Sequence, residues 1–176
     1  MLKSLLLVWF IIINFFVYNG CFITTGLPLP TLLGVLAPIL LFLLASYFSK
    51  SIRCRSESLS FQFLTSVQVT RVAGALFLPL GYYNILPLDF ALPAGFGDVA
   101  VGLYALWCSV QVGNSHKFVF SFKYKLLHYL GLLDFVIAVS TGTYSSQLQT
   151  AGHGPWPMAD FPLALIPGFL VPMFSI

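Results

Sequence analysis

The chain has 176 residues, of which 59% are hydrophobic and only 7% charged, with a formal net charge of +3. An ordinary soluble domain carries roughly 25% charged residues; at a mean hydropathy of +0.94 no soluble core could absorb this much apolar surface, which excludes a water-soluble fold. The positive charge does not point to nucleic acid, because the basic residues lie in short clusters between apolar runs.

The expected architecture is all-α: a polytopic transmembrane helix bundle that occupies residues 1–176 as one domain. Leu5 to Cys21 is apolar and follows Lys3, as in a signal peptide. Gly20-Cys21 hints at a lipoprotein cleavage site, but Tyr18 and Asn19 stand where small or aliphatic residues are wanted. A retained first span at about 4–22 is therefore expected. Pro28 and Pro30 mark a short turn. A second span follows at about 31–49, long enough to cross ~30 Å of hydrocarbon at ~1.5 Å per residue. Pro38 inside it predicts a kink.

Lys50, Arg53 and Arg55 form the strongest basic cluster. Ser56, Ser58 and Ser60 offer caps for a third helix at about 60–84, which carries Gln62, Gln68 and Arg71, then Gly74, Pro79 and Gly81. Asn84 to Leu92 reads as a loop. A fourth span, about 93–112, starts at Pro93 or at Asp98, and His116, Lys117, Lys123 and Lys125 make the next basic stretch. The fifth span, about 125–145, contains His128 and Asp134. Gln147 to Ala159 reads as a polar loop, and about 161–176 makes a sixth span broken by Pro162, Pro167 and Pro172.

With the N-terminus in the cytoplasm, every Lys and Arg outside a span falls on the cytoplasmic side, and Asp89 and Asp160 fall outside. This one-sided distribution predicts six spans with both termini cytoplasmic. Tyr82, Tyr83 and Trp156 toward the outer face, with Tyr47 and Trp107 toward the inner, fit interfacial aromatics.

Ionisable residues inside spans are expensive and mark the places where function is sought. Arg71 lies roughly 16 Å into its helix and Asp134 roughly 14 Å into the fifth, counted from the same side. Gln68, Gly74 and Ala75 share the face of Arg71; Gly131, Ala138 and Thr141 share that of Asp134. The matched depths predict an Arg71–Asp134 ion pair, with Asp98 as the competing acid nearer the outer face. Asp98 itself admits two readings: a residue inside a helix begun at Pro93, or the N-cap of a helix begun at Val99. Gly95-Phe96-Gly97-Asp98 also matches the Gly-x-Gly-Asp signature of intramembrane aspartyl proteases. The match is partial: the other acid, Asp134, comes later in the chain rather than earlier, and Leu133 precedes it where a tyrosine is usual.

His128, His116 and His153 do not share a depth that would ligate a metal or haem. Cys21, Cys54 and Cys108 lie too far apart for a Cys-x-x-Cys pair and are expected to be unpaired. No catalytic residue, metal or cofactor is assigned.

The ordered set Arg71-Val72-Ala73-Gly74, Pro93-Ala94-Gly95-Phe96-Gly97-Asp98, Gly131-Leu132-Leu133-Asp134 and Ile166-Pro167-Gly168-Phe169-Leu170-Val171-Pro172 resembles the pattern of small, uncharacterised bacterial integral membrane proteins. The resemblance covers roughly Gln68 to the C-terminus. It implies a multi-pass protein of the bacterial inner (plasma) membrane and brings no activity with it. Chains of that pattern continue beyond the final Val-Pro with a longer helix, whereas this sequence stops at Ile176.

Three functions from different classes fit these residues. The first is a small-solute or proton-linked carrier or channel whose polar path involves Arg71, Asp134, Asp98 and Gln68. The second is a non-catalytic assembly factor or partner subunit, acting with another membrane protein or a second copy. The third and least favoured is an intramembrane hydrolase using Asp98 and Asp134. The lipid bilayer is an expected partner in all three, and nucleic acid in none.

Overall fold

A computed structural model describes residues 2–23, 28–152 and 156–172, and among these every regular element is helical. Helix α1 spans Leu2–Tyr18, α2 Leu29–Phe48 and α3 the short basic segment Lys50–Glu57. Helix α4 runs Phe61–Tyr82, α5 Leu88–Asn114 and α6 Phe122–Gly152. Four of these, α2, α4, α5 and the Phe122–Leu148 part of α6, are long and apolar enough to cross a membrane. Their outward faces agree with that length: Leu40 and Leu41 on α2, Leu103 and Leu106 on α5, and Leu132 and Leu133 on α6 are all exposed. Apolar surface on that scale calls for an apolar surrounding.

The chain divides into two compact units, one made of the two chain ends, up to Ile52 and from Thr143, the other of Arg53–Gly142. In the first unit, the turn that follows α1 holds Gly20, whose φ of 68° is a left-handed conformation that glycine adopts without strain. Gly168 then sits where the chain ends meet. The Trp9 indole Nε1 donates to its carbonyl at 3.0 Å, and Ile13 would lie 2.9 Å from any Cβ placed there. Phe22 similarly fills the space beside Gly34 of α2. The segment expected as a sixth span is described to Pro172. It forms a turn over 161–164 and then a short π-helical stretch, Ile166–Leu170, around Pro167.

The second unit is built on the hairpin of α4 and α5. Ser60 caps α4 by accepting from the Phe63 N–H at 3.1 Å. Helix α4 is α-helical to Val69, tightens to a 3-10 helix over Thr70–Leu76, and is α-helical again over Phe77–Tyr82. Pro79 supplies a local cause, since its ring crowds the carbonyl four residues earlier and it has no N–H to continue the α ladder. The connection to α5 is shorter than the sequence suggests. Asn84 takes a φ of 56°, and Pro87 is already the N-cap of α5. The expected loop to Leu92 and helix start at Pro93 are thus corrected: α5 begins at Leu88 and carries Pro93 in its interior. One lost N–H is tolerated inside a helix whose other rungs hold.

Antiparallel α4 and α5 meet along a seam of small residues. Gly81 faces Ala91, Gly95 faces Leu78, and Gly102 faces the backbone of Arg71 and Val72. Such residues let helix backbones approach closely. Helix α6, with Ser121 accepting from the Tyr124 N–H, packs Leu127 against Val101, Ala105 and Cys108 of α5. Tyr104 donates to the Lys123 carbonyl at 2.9 Å, tying the same two helices near the basic stretch.

The seam makes a testable distinction between two glycines. A Cβ at Gly102 would lie 2.7 Å from the Val72 backbone nitrogen, which cannot move without shifting α4, whereas at Gly113 it would meet only the Gln62 side-chain amide, at 3.1 Å. Gly102→Ala should destabilise the protein by about 1–3 kcal/mol, as overpacking does. Gly113→Ala should be neutral or stabilising. Unfolding in mixed micelles measures both, and equal losses would show that the seam is not tight at Gly102.

Candidate functional site

Three charged side chains, one from each of α4, α5 and α6, converge midway along the second unit. Arg71 stands eleven residues before the end of α4 at Tyr82, and Asp98 ten after the start of α5 at Leu88. Because the two helices are antiparallel, those positions face each other. Asp134 stands twelve residues into α6, counted from Phe122. The side chains are 11%, 22% and 7% exposed for Arg71, Asp98 and Asp134, so the charges are largely removed from solvent.

Arg71 bridges the two acids. Its Nε donates to Asp98 Oδ1 at 2.8 Å, and its Nη2 donates to Asp134 Oδ2. Its Nη1 points to the Gly131 carbonyl at 3.5 Å. The planar guanidinium holds N–H groups on several edges at once, so one side chain can address two helices; a lysine ammonium is a point charge without that fork. Because Nε and Nη2 belong to one rigid guanidinium, the two carboxyl groups are held side by side on it.

Each charge is seated against a glycine of a neighbouring helix. A Cβ added to Gly74 of α4 would collide with the Asp98 carboxyl, one on Gly97 of α5 with Asp134 Oδ1, and one on Gly131 of α6 would lie 3.2 Å from Arg71 Nη1. The arrangement is cyclic: every one of the three helices contributes one charge and one glycine. The pairs Arg71 with Gly74 and Gly131 with Asp134 are three apart, which places both members on one helix face.

The structure brings together Arg71, Asp98 and Asp134. Gln68 is half-buried one turn before Arg71 on the same helix. The expectation of Arg71 choosing between the two acids is corrected, because it holds both. The physical reason is the earlier start of α5, which carries Asp98 down to the depth of Arg71. The N-cap reading of Asp98 is corrected for the same reason, since the cap of α5 is Pro87. Sequence reasoning found the three charges but not the role of Gly97, whose place directly before Asp98 gave no sign that it faces a different acid.

Among the described residues no group of three or more His, Cys, Asp or Glu could hold a metal ion. His128 packs edge-on against the Tyr124 ring, with centroids 5.0 Å apart. The side chain of His116 and all of His153 lie outside the described residues. Cys21, Cys54 and Cys108 are free.

Removing one member of a buried ionic group strands the rest. Arg71→Ala, Asp98→Ala and Asp134→Ala should each destabilise the protein by about 3–5 kcal/mol. The Arg71/Asp98 and Arg71/Asp134 double mutants should both depart from additivity, by about 0.5–3 kcal/mol. Equilibrium unfolding in detergent measures the two cycles, and additivity in either would release that acid from Arg71.

No curated protein and no solved structure matches the chain. A domain of unknown function, DUF8737, matches residues 28–176, a range that takes in α2 to α6, all three charges and their three glycines. The chain belongs to the DUF8737 family.

Proposed function

We propose that the chain is a multi-pass membrane protein that couples the movement of a small solute to a proton, with Arg71, Asp98 and Asp134 as its charged site. The observation that carries this reading is one guanidinium set between two carboxyls at mid-helix. With both acids ionised, one positive charge faces two negative ones, so a net negative charge remains where hydrocarbon surrounds the helices. Charges at that depth are costly, on the order of 2.5–3.5 kcal/mol each on insertion scales, and proton relays and substrate pathways are where such groups recur. The 3-10 stretch Thr70–Leu76 supports the same reading, because it interrupts the α-helix at the charged residue itself. Broken helices of this kind are found at transporter binding sites.

The one-sided Lys and Arg support six spans with both termini in the cytoplasm, and the motif resemblance supports a bacterial inner membrane. The hydrolase reading has less support. The carboxyl oxygens that Arg71 does not bind abut Gly74 and Gly97, and the order of the two acids in the chain is the reverse of that in the proteases.

Two experiments test this. In a cysteine-free background, cysteines placed at the exposed positions Ser115 and Asp160 should label from opposite faces, Ser115 from the cytoplasm. Labelling of both from one face would contradict the topology. In proteoliposomes holding a pH-sensitive dye, external pools of amino acids, sugars and quaternary ammonium compounds should be added in turn. At least one pool should change the internal pH, and the response should vanish in Asp134→Asn. A dye trace flat with every pool would contradict the carrier reading.

A further inference from the structure

The two halves of the α4–α5 seam differ in chemistry on either side of the triad. Toward the Phe61 end the seam is polar. The Gln62 amide lies over Gly113, and the Ser66 and Ser109 hydroxyls are 3.0 Å apart. Ser66 donates to the Gln62 carbonyl at 2.8 Å, which leaves Ser109 to donate to Ser66. Gln68 and Thr70 occupy the interval between Ser66 and Arg71. Toward the Tyr82 end the seam is apolar and shut. The Phe77 and Phe90 rings meet edge to face at 5.6 Å, and both are 6% exposed. A Cβ on Gly142 of α6 would lie 3.2 Å from the Phe90 ring, and Gly81 is packed on Ala91.

The triad itself has room for only one kind of cation. The groups that face one another are Arg71 from α4, Asp98 from α5 and Asp134 from α6. His128 lies more than a turn before Asp134, with its ring against Tyr124. Asp98 Oδ2 is pressed toward Gly74 and Asp134 Oδ1 toward Gly97. A metal cation needs several oxygen ligands at roughly 2–2.6 Å, and helix backbone occupies that space. A proton needs none, and two interacting carboxyls in a poorly solvated site hold one between them.

We propose that Asp98 and Asp134 share a single exchangeable proton, which enters from the polar Phe61 end of α4 past Ser109 and Ser66, while Phe77 and Phe90 close the opposite side. This rests on the triad being the proton-linked site. An O–H bond forms on one carboxylate. The proton comes from hydronium on the Phe61 side, which is left as water, and Arg71 keeps all of its protons. The net charge of the triad thereby alternates between one negative charge and zero.

The test uses purified full-length protein in lipid nanodiscs, with infrared difference spectroscopy of the protonated-carboxyl C=O band. One proton per chain should titrate, and the band should be absent from the Asp98→Asn/Asp134→Asn double variant. Sodium or potassium added at fixed pH should leave the midpoint where it was. After a pH jump, Ser66→Ala and Ser109→Ala should slow the rise of the band by about tenfold, equivalent to one added barrier step, with no change in midpoint. Phe90→Ala should not slow it. Two titrating protons, a midpoint moved by sodium, or serine variants at the wild-type rate would each overturn the proposal. A one-proton site with these kinetics but no solute-driven flux in liposomes would leave this proposal standing and remove the carrier reading. A solute-driven change of internal pH in liposomes, with no carboxyl band titrating for one proton, would do the reverse.

Discussion

A single guanidinium shared by two carboxylates organises the second unit of this protein. Arg71 reaches Asp98 with Nε and Asp134 with Nη2, so α4 is tied to α5 and α6 through one side chain. In a poorly solvated interior such a group is a commitment. Intact, it roughly offsets the desolvation of its members; broken, it leaves an uncompensated charge. The surrounding structure therefore has to deliver all three helices to within hydrogen-bonding reach. The reciprocal glycines accomplish that. Gly74, Gly97 and Gly131 remove the side chains that would otherwise hold each helix away from its neighbour's charge.

The same demand shapes the backbone. An α4–α5 connection closed by Asn84 and Pro87 makes a tight hairpin, and that tightness sets the register in which Arg71 meets Asp98. Gly102 against Val72 and Gly81 against Ala91 keep the register on either side. The 3-10 stretch Thr70–Leu76 lies inside this clamped region, between an α-helical start and end. It winds about 3.0 residues per turn instead of 3.6 and so changes which residues after Arg71 face α5. Gly74 under Asp98 is one product of that winding.

How much of this was legible in the sequence depends on which physical signal each residue gives. Helices α2, α4, α5 and α6 were readable because uninterrupted hydropathy over some twenty residues has few other meanings. Ser60 was readable as a cap because its hydroxyl precedes an apolar run. The start of α5 was not. Pro87, Pro93, Gly95 and Gly97 within eleven residues look like loop chemistry, and only packing against α4 shows that three of them are helical. That misreading displaced Asp98 by a turn and a half, which is why Arg71 was expected to choose between the acids. At the chain end, hydropathy gave no sign of the turn and short π-helix that form around Pro162 and Pro167. Of the site, the three charges stood out because charge is rare in this chain. Gly97 and Gly131 did not, since a glycine says nothing by itself about which neighbour it admits.

Everything in the second unit depends on Arg71 touching both acids at once in a bilayer. Solid-state NMR of the protein in lipid, with nitrogen-15 in arginine and carbon-13 in aspartate, measures that contact. Replacing Arg53 and Arg55 by lysine leaves Arg71 as the only arginine. Its side-chain nitrogens should then show through-space cross-peaks to two carboxyl carbons, one lost in Asp98→Asn and the other in Asp134→Asn. Cross-peaks to a single carboxyl, or to neither, would contradict the bridged triad.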